Sequence, residues 1–229
     1  MAKLLSTVLA VTLSMPFAVQ ADDVPSLESR VLHVFGELQR IEPMTRGCEY
    51  TVTVDGREET GPKESFLRRR TAVEIWTSGL ASGCGDYATA FIERIEAQGI
   101  EALLVDGAEV SEKSLESHFS GHGVVAVRER MDGAPWWLVD PTARQIISRD
   151  WKLASMTFRA GDRVYWIAFC GRRQDYPVRN ADQIREFYGK ALDSIPSPTL
   201  SDLLKRNKEA AEPSATDNPD DAQRSREDH

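Results

Sequence analysis

The stretch SGCGDYA, residues 82–88, places Cys84 at the start of a predicted helix. Over residues 84–98 apolar side chains recur at helical spacing, and Gly99 supplies a stop signal. Unpaired backbone N–H groups and the helix dipole at such a position favour a thiolate, which is the nucleophilic form of cysteine. The alternative is a structural cysteine, because a buried thiol also behaves as a small apolar side chain.

The elements on either side of this stretch predict the fold class. Helical spacing covers residues 26–41, 66–80, 84–98 and 182–195. The predicted strands cover residues 50–54, 102–105, 124–127, 136–139, 156–158 and 164–169. Helices followed by a run of β-hairpins predict an α+β fold, in which an antiparallel sheet packs on helices and Cys84 lies at a helix N-terminus. The run Arg68, Arg69 and Arg70 is interpreted as a solvated face of the second helix.

Two polar residues lie at the ends of consecutive predicted strands. His122 opens the strand in GHGVVAV, residues 121–127, and Asp140 ends the strand in WWLVDPT, residues 136–142. Each has a structural alternative, since Asp before Pro is a common turn and a single His at a strand end often has no chemical role. His118 is the rival to His122 as a base.

Together, the Cys, the His and the Asp resemble the transglutaminase-like superfamily of papain-related cysteine acyl-transfer enzymes. The resemblance spans roughly residues 78–142, and QGIEALLVDG, residues 98–107, resembles a strand of that family. It implies that Cys84 attacks an amide carbon, that His122 takes and returns a proton, and that Asp140 orients the imidazole.

The implied function is an exported cysteine enzyme that acts on amide bonds of a protein or peptide through a thioester. Transglutamination, glutamine deamidation and proteolysis share the acylation step, and the sequence leaves all three open. Two alternatives remain: a cell-wall peptide amidase, and a catalytically silent transglutaminase-like domain that binds a protein or cell-envelope partner. No cofactor is expected, because the His and Cys residues show no compact ligand spacing. Calcium bound by Asp86, Glu112 and Glu116 is the open alternative.

The other cysteines bear on the redox state of Cys84. Exported proteins normally pair their thiols. A disulfide between Cys48 and Cys170 would leave Cys84 reduced, as a nucleophile must be; the alternative is that no cysteines pair. The backbone N–H of Cys84 is the expected oxyanion donor. Trp76 is a candidate second donor, against the alternative that its ring belongs to the core.

Both ends of the chain differ in composition from its middle. Lys3, the apolar residues 4–19 and a cut after Ala21 are typical of a secretory signal peptide. An uncleaved anchor is the alternative, but the run is short against the roughly 20 residues of a membrane-spanning helix. We therefore expect a signal peptide at 1–21, a transglutaminase-like domain at 22–195, and a polar, largely disordered tail at 196–229. The predicted location is secreted or periplasmic, without stable membrane insertion after cleavage.

Composition excludes other classes of protein. The 229 residues include 36 acidic and 28 basic side chains, which gives a formal net charge of −8. Such a charge argues against nucleic acid as a partner, since phosphate backbones attract basic surfaces. A hydrophobic content of 41% excludes a fully disordered chain.

One geometric condition follows from the positions of His122 and Asp140. Facing residues of an antiparallel pair have a constant index sum and lie on one face of the sheet. Because both positions are even, they share a face only if the loop between the strands has an odd number of residues or a bulge intervenes. A two-residue turn at Asp132 and Gly133 would put the two side chains on opposite faces.

Overall fold

A six-stranded antiparallel sheet forms the centre of the protein, as described by the computed structural model over residues 25–211. The helices are α1 (Leu27–Leu38), α2 (Ala72–Ser78), α3 (Cys84–Ala97), α4 (Glu112–Ser117), α5 (Ala181–Asp193) and α6 (Ser197–Ala211). The strands are β1 (Glu42–Pro43), β2 (Glu49–Val54), β3 (Arg57–Pro62), β4 (Leu80–Ala81), β5 (Glu101–Glu109), β6 (Gly121–Arg128), β7 (Trp136–Asp140), β8 (Gln145–Trp151), β9 (Thr157–Ala160) and β10 (Arg163–Gly171). Short 3-10 helices cover Lys63–Phe66 and Arg173–Asp175. The predicted signal peptide at 1–21 and the end of the predicted tail lie outside the described residues.

The central sheet has the strand order β8-β7-β6-β5-β10-β9, and each neighbouring pair is antiparallel. Side chains of a strand alternate between the two faces. On β6 and β7, the odd-numbered residues join the core formed with helices α1, α3 and α5, whereas the even-numbered residues join a second core that includes Trp151 and Phe158. The protein is thus an α+β fold in which antiparallel sheet packs against helices.

The register of β6 and β7 confirms the prediction of an odd-length connection. Val125 pairs with Val139, and Val127 pairs with Trp137. Residues 128–136 therefore connect the last paired positions, and their number is odd. As a result His122 and Asp140 lie on the same face of the sheet.

The helix predicted over residues 66–80 was wrong in its extent. Phe66 ends a 3-10 helix, and α2 begins only after Thr71, whose hydroxyl accepts from the N–H of Glu74 while the Glu74 carboxylate accepts from the N–H of Thr71. This reciprocal capping box marks a helix start. Gly79, with φ of 65°, ends the helix after two turns.

The interpretation of the arginine run as a solvated helix face was also wrong. Arg68 and Arg70 are buried, with 6% and 1% of their surfaces exposed, and both precede α2. Only Arg69 is partly exposed, and it pairs with Glu59 on β3. Two guanidinium groups are therefore removed from water beside the segment that leads to Cys84, and each needs buried partners.

Two of the strands that the sequence analysis missed, β3 and β8, are polar. β3 reads REETGP and pairs along its length with β2 in a separate two-stranded sheet. β8, with the sequence QIISRDW, forms an edge of the central sheet next to β7. Edge strands and isolated hairpins expose much of their surface, so they lack the apolar pattern by which strands are recognised.

Helix α6 lies in the segment predicted as a polar tail from residue 196 onward. Its Leu203 is buried in the main core, and its Asn207 accepts a hydrogen bond from the N–H of Val164 at 3.0 Å. The Asn207 amide also donates to the carbonyl of Val110. Through Leu203 and Asn207 this helix is attached to the main core and to β10. Across residues 25–211, none of the helices has the length and apolar composition needed to cross a bilayer.

Candidate active site

Cys84 is the first residue of α3 and opens onto a cleft of about 210 Å³. Gly83 precedes the helix without a side-chain cap, and the first acceptor used by the helix is the Gly83 carbonyl, bonded by Asp86 and Tyr87. The N–H groups of Cys84 and Gly85 have no acceptor among the described residues. They are free to bind an oxygen of a ligand, as the first N–H groups of a helix commonly do.

The Cys84 sulfur lies at the start of β6, beside His122. The backbone N–H of Gly123 donates to Sγ at 3.3 Å. The imidazole of His122 lies next to the same sulfur and lowers its pKa. Helix α3 and strand β6, which are distant in sequence, thus bring a thiol and an imidazole together.

Asp140 holds the opposite edge of the imidazole. Its Oδ2 lies 2.7 Å from Nε2 of His122, and Oδ1 accepts from the N–H groups of Thr142 at 2.9 Å and Ala143 at 3.1 Å. Those two backbone bonds belong to the turn after β7, and they fix the carboxylate on the ring. The ring of Tyr165 covers His122, with 5.5 Å between the centroids. Since Nε2 faces Asp140, Nδ1 is the nitrogen left for the sulfur.

The charges around Cys84 favour a thiolate and an imidazolium. Removal from water alone would raise the pKa of Cys84, but the hydrogen bond with His122 and the positive charge of Arg68 outweigh that effect and lower it. Burial alone would lower the pKa of His122, yet its hydrogen bonds to Asp140 and Cys84 raise that pKa to about 10. The two shifts have a common cause, because each charged form stabilises the other.

Two rivals named from the sequence lie elsewhere. His118 follows α4 with φ of 53°, and its ring packs against Gly189 of α5. Trp76 belongs to the edge of the main core, where the Arg94 guanidinium lies 4.8 Å from its ring centroid. The Trp76 indole does not line the cleft beside Cys84. The second candidate oxyanion donor is therefore the Gly85 N–H rather than this indole.

A buried polar cluster that the sequence analysis missed lies beneath the site. Arg68 donates from Nη2 to Asp106 Oδ1 at 2.6 Å, and Asp106 on β5 is fully buried. The hydroxyls of Tyr176 and Tyr188 donate to the same carboxylate. We call these four residues the Arg68 cluster. In the sequence, Asp106 could have revealed this cluster, because a carboxylate inside an otherwise apolar strand needs a buried partner.

A second buried pair shapes the loop that delivers Cys84. Asp86 accepts from the N–H and the hydroxyl of Ser82, each at 2.9 Å, and lies 3.5 Å from Arg70 Nη1. Arg70 donates to the carbonyls of Leu80 at 2.8 Å and Glu74 at 2.9 Å. These bonds hold the turn before the helix. In residues 25–211, no group of three or more His, Cys, Asp or Glu side chains is arranged to hold a metal ion.

The structure does not contain the expected disulfide between Cys48 and Cys170. All three cysteines of the chain fall within the described residues, and all are free thiols. Cys48 lies just before β2, outside the central sheet, whereas Cys170 lies on β10 opposite Val105 of β5. The thiol of Cys84 is thus reduced without a disulfide elsewhere.

The chain matches no protein-family model, no curated protein and no solved structure with which it was compared.

Proposed function

We propose that this protein is a cysteine enzyme of the transglutaminase-like kind that acts on amide bonds of a protein or peptide through a thioester on Cys84. The observation that carries the proposal is the chain of contacts from Asp140 through His122 to the Cys84 sulfur, beside an open cleft. A nucleophile, a base that bonds to it, and a group that orients the base are the parts that covalent acyl transfer requires.

In the acylation step, the Cys84 thiolate attacks the amide carbon and forms a C–S bond. The carbonyl oxygen gains negative charge, which the N–H groups of Cys84 and Gly85 stabilise. The imidazolium of His122 gives its proton to the departing nitrogen as the C–N bond breaks. Ammonia leaves from a glutamine side chain, or an amine leaves from a cleaved backbone.

The thioester is then released by water or by an amine. The neutral imidazole of His122 accepts a proton from the incoming molecule, whose oxygen or nitrogen bonds to the acyl carbon as the C–S bond breaks. Water gives a carboxylic acid and an amine gives a new amide, while Cys84 returns to the thiolate. Asp140 keeps Nε2 occupied and stabilises the imidazolium, so Nδ1 carries both proton transfers.

The predicted signal peptide supports action outside the cytoplasm, in the periplasm or the medium. A protein or peptide substrate suits an open cleft that contains both apolar and charged side chains. Its lining includes Leu67, Phe119 and Ile184 together with Lys63 and Glu64.

The experiment is incubation of the protein, without residues 1–21, with a glutamine-containing peptide and a primary amine. Ammonia release, amine incorporation and backbone cleavage are read in parallel. We expect Cys84→Ala to abolish all three, and His122→Ala to reduce turnover by about 10²–10⁴-fold, the usual size of a general acid–base contribution. His118→Ala is the matched control, since this imidazole packs on α5 away from the sulfur.

The pH dependence of turnover gives a further check. The rate should rise as Cys84 loses its proton and fall as His122 loses its own, near its pKa of about 10. Asp140→Asn removes a carboxylate that raises the pKa of His122, so the alkaline limb should move to lower pH. If Cys84→Ala retained the full biological effect, the protein would instead be a binding domain for a protein or cell-envelope partner.

A further inference from the structure

The guanidinium of Arg68 is buried beside the catalytic sulfur but only part of it is bonded. Its Nη2 donates to Asp106 at 2.6 Å, while Nη1 is buried without a hydrogen-bond partner among the described residues. A buried N–H group with no acceptor is rare because it loses its water without compensation. Such a group calls for an explanation in terms of what lies next to it.

Nη1 packs against two glycines, Gly85 and Gly123, that lie next to Cys84. A Cβ added to Gly85 would overlap the guanidinium, and one added to Gly123 would lie 3.2 Å from Nη1. Gly85 follows Cys84 in the chain, and Gly123 donates its N–H to the sulfur. Because neither glycine has a Cβ, the Arg68 guanidinium can lie close to Cys84. The glycines therefore do more than permit a tight turn.

Arg68 is also held in an unfavourable backbone conformation. Its φ is 63°, in the left-handed region that side chains with a Cβ rarely adopt. Such strain persists only where the surroundings enforce it, and it concentrates at functional sites. Here Asp106 and the hydroxyl of Tyr188 fix the guanidinium, and Arg173 donates to the Arg68 carbonyl at 3.4 Å.

We propose that Arg68 is a positioning residue for the reaction at Cys84: a permanent positive charge, fixed by Asp106, that favours the ionised sulfur alongside His122 and, unlike His122, does so at every pH. The proposal rests on the proposed function, in which Cys84 is the nucleophile. In a simple Cys–His pair, the thiolate depends on an imidazolium that itself titrates. An arginine does not titrate in the range where proteins are folded, so its contribution does not change with pH.

The charged and titratable groups around the sulfur come from several elements. They are Arg68 before α2, Asp86 on α3, Asp106 on β5, His122 on β6, Asp140 on β7, Tyr165 on β10, and Tyr176 and Tyr188 near and on α5. Arg68 and His122 favour the thiolate, and Asp106 opposes it. The effect of Arg68 on the pKa of Cys84 is larger than the opposing effect of Asp106, whose carboxylate also accepts from two tyrosine hydroxyls.

The test is the rate of alkylation of Cys84 by iodoacetamide as a function of pH, which needs a thiolate but no turnover. Cys48 and Cys170 are exposed free thiols, so both are first replaced by serine. In this background, His122→Ala should raise the apparent pKa of alkylation and abolish turnover, because burial of the sulfur then outweighs the charge of Arg68. Adding Asp106→Asn to the His122→Ala protein should lower the apparent pKa again, because the opposing carboxylate is gone and the cation remains.

The decisive comparison adds Arg68→Gln to that last protein. The two introduced amide side chains would form a neutral hydrogen-bonded pair, so the two folded proteins differ by one charge. We expect the alkylation rate at neutral pH to fall about tenfold, corresponding to one pKa unit. Arg68→Lys in place of Arg68→Gln should restore it. Equal pH profiles with and without the arginine would overturn the proposal.

The test also decides when a variant fails to fold or when alkylation and turnover disagree. Should the Arg68→Gln protein not fold, Asp106→Asn alone decides: the alkylation pKa must fall or stay low, and a rise would overturn the proposal. A protein that shows Arg68-dependent alkylation but never turns over a peptide refutes the proposed function and leaves the role of Arg68 intact. A protein that turns over a peptide but whose alkylation does not depend on Arg68 refutes only the role of Arg68.

Discussion

Two buried arginine–aspartate pairs lie in the part of the fold that holds Cys84, and they behave differently although they contain the same residue types. Arg68 lies 2.6 Å from Asp106, whereas Arg70 lies 3.5 Å from Asp86. Burial would lower the pKa of both arginines, but Asp106 raises that of Arg68 well above its usual value, while that of Arg70 stays lowered. Distance and the number of competing partners decide between the two outcomes.

This difference shows that a buried ion pair can either supply charge to a site or hold the backbone around it in shape. Arg70 donates to two carbonyls and to the Ser78 hydroxyl, so its guanidinium mainly ties together the ends of α2 and β4. Asp86 in turn mainly holds Ser82. Arg68, in contrast, has one close carboxylate and a free Nη1. The Arg70–Asp86 pair holds the loop in shape, whereas the Arg68–Asp106 pair supplies positive charge near Cys84.

The largest effect on stability is expected from Asp106→Ala. The substitution leaves Arg68 buried without a counter-charge and removes the acceptor of two tyrosine hydroxyls. Breaking a buried pair in this way costs about 3–5 kcal/mol. Urea unfolding followed by tryptophan fluorescence measures it, with Asp106→Asn as the milder control, since an amide oxygen still accepts. A loss equal to that of Asp86→Ala would show that the two pairs are equivalent.

A smaller effect is expected from Asp86→Ala. The N–H and hydroxyl of Ser82 lose their acceptor. Arg70 keeps its two carbonyl partners, so its buried guanidinium is still hydrogen-bonded. The free energy of unfolding should fall by about 2 kcal/mol, the range for unsatisfied buried groups. The same urea titration applies. A larger loss than that of Asp106→Ala would reverse the comparison between the pairs.

The smallest effect is expected from Arg69→Ala, in the position between the two buried arginines. Arg69 bonds both oxygens of Glu59, but the two side chains are 29% and 37% exposed. Partly solvated pairs contribute about 0.5–1 kcal/mol. Comparing this variant at 0.1 M and 1 M salt should show that most of its effect is screened. An effect as large as that of Asp86→Ala would mean that burial does not distinguish the three arginines.

The features that sequence reasoning reached were those with a local signature. Short apolar runs identified β5, β6 and β7, and the parity of positions 122 and 140 predicted the register that brings His122 against Asp140. The start of α3 at Cys84 followed from the same kind of pattern, since glycine precedes the helix and apolar residues recur along it. These are contacts within one element or between neighbours in the chain.

The features that it missed depend on contacts between distant segments. An arginine run before a short helix reads as solvated unless its partners are known, and those of Arg68 come from β5 and α5. The edge strands β3 and β8 lack apolar alternation because one or both of their faces meet water. The expected Cys48–Cys170 disulfide rested on compartment alone, which carries no information about where two residues lie in the fold.

The distance along the chain between Arg68 and Tyr188, 120 positions, has a consequence for synthesis. A nascent chain leaves the ribosome from its N-terminus, so Cys84, His122 and Asp140 emerge well before α5. Contacts of such separation close late, because loop closure costs entropy before it is rewarded. We expect a chain stalled before residue 180 to contain every reacting group and yet to lack a finished cleft. Chemistry at Cys84 would thus begin only once α5 has joined the rest of the fold.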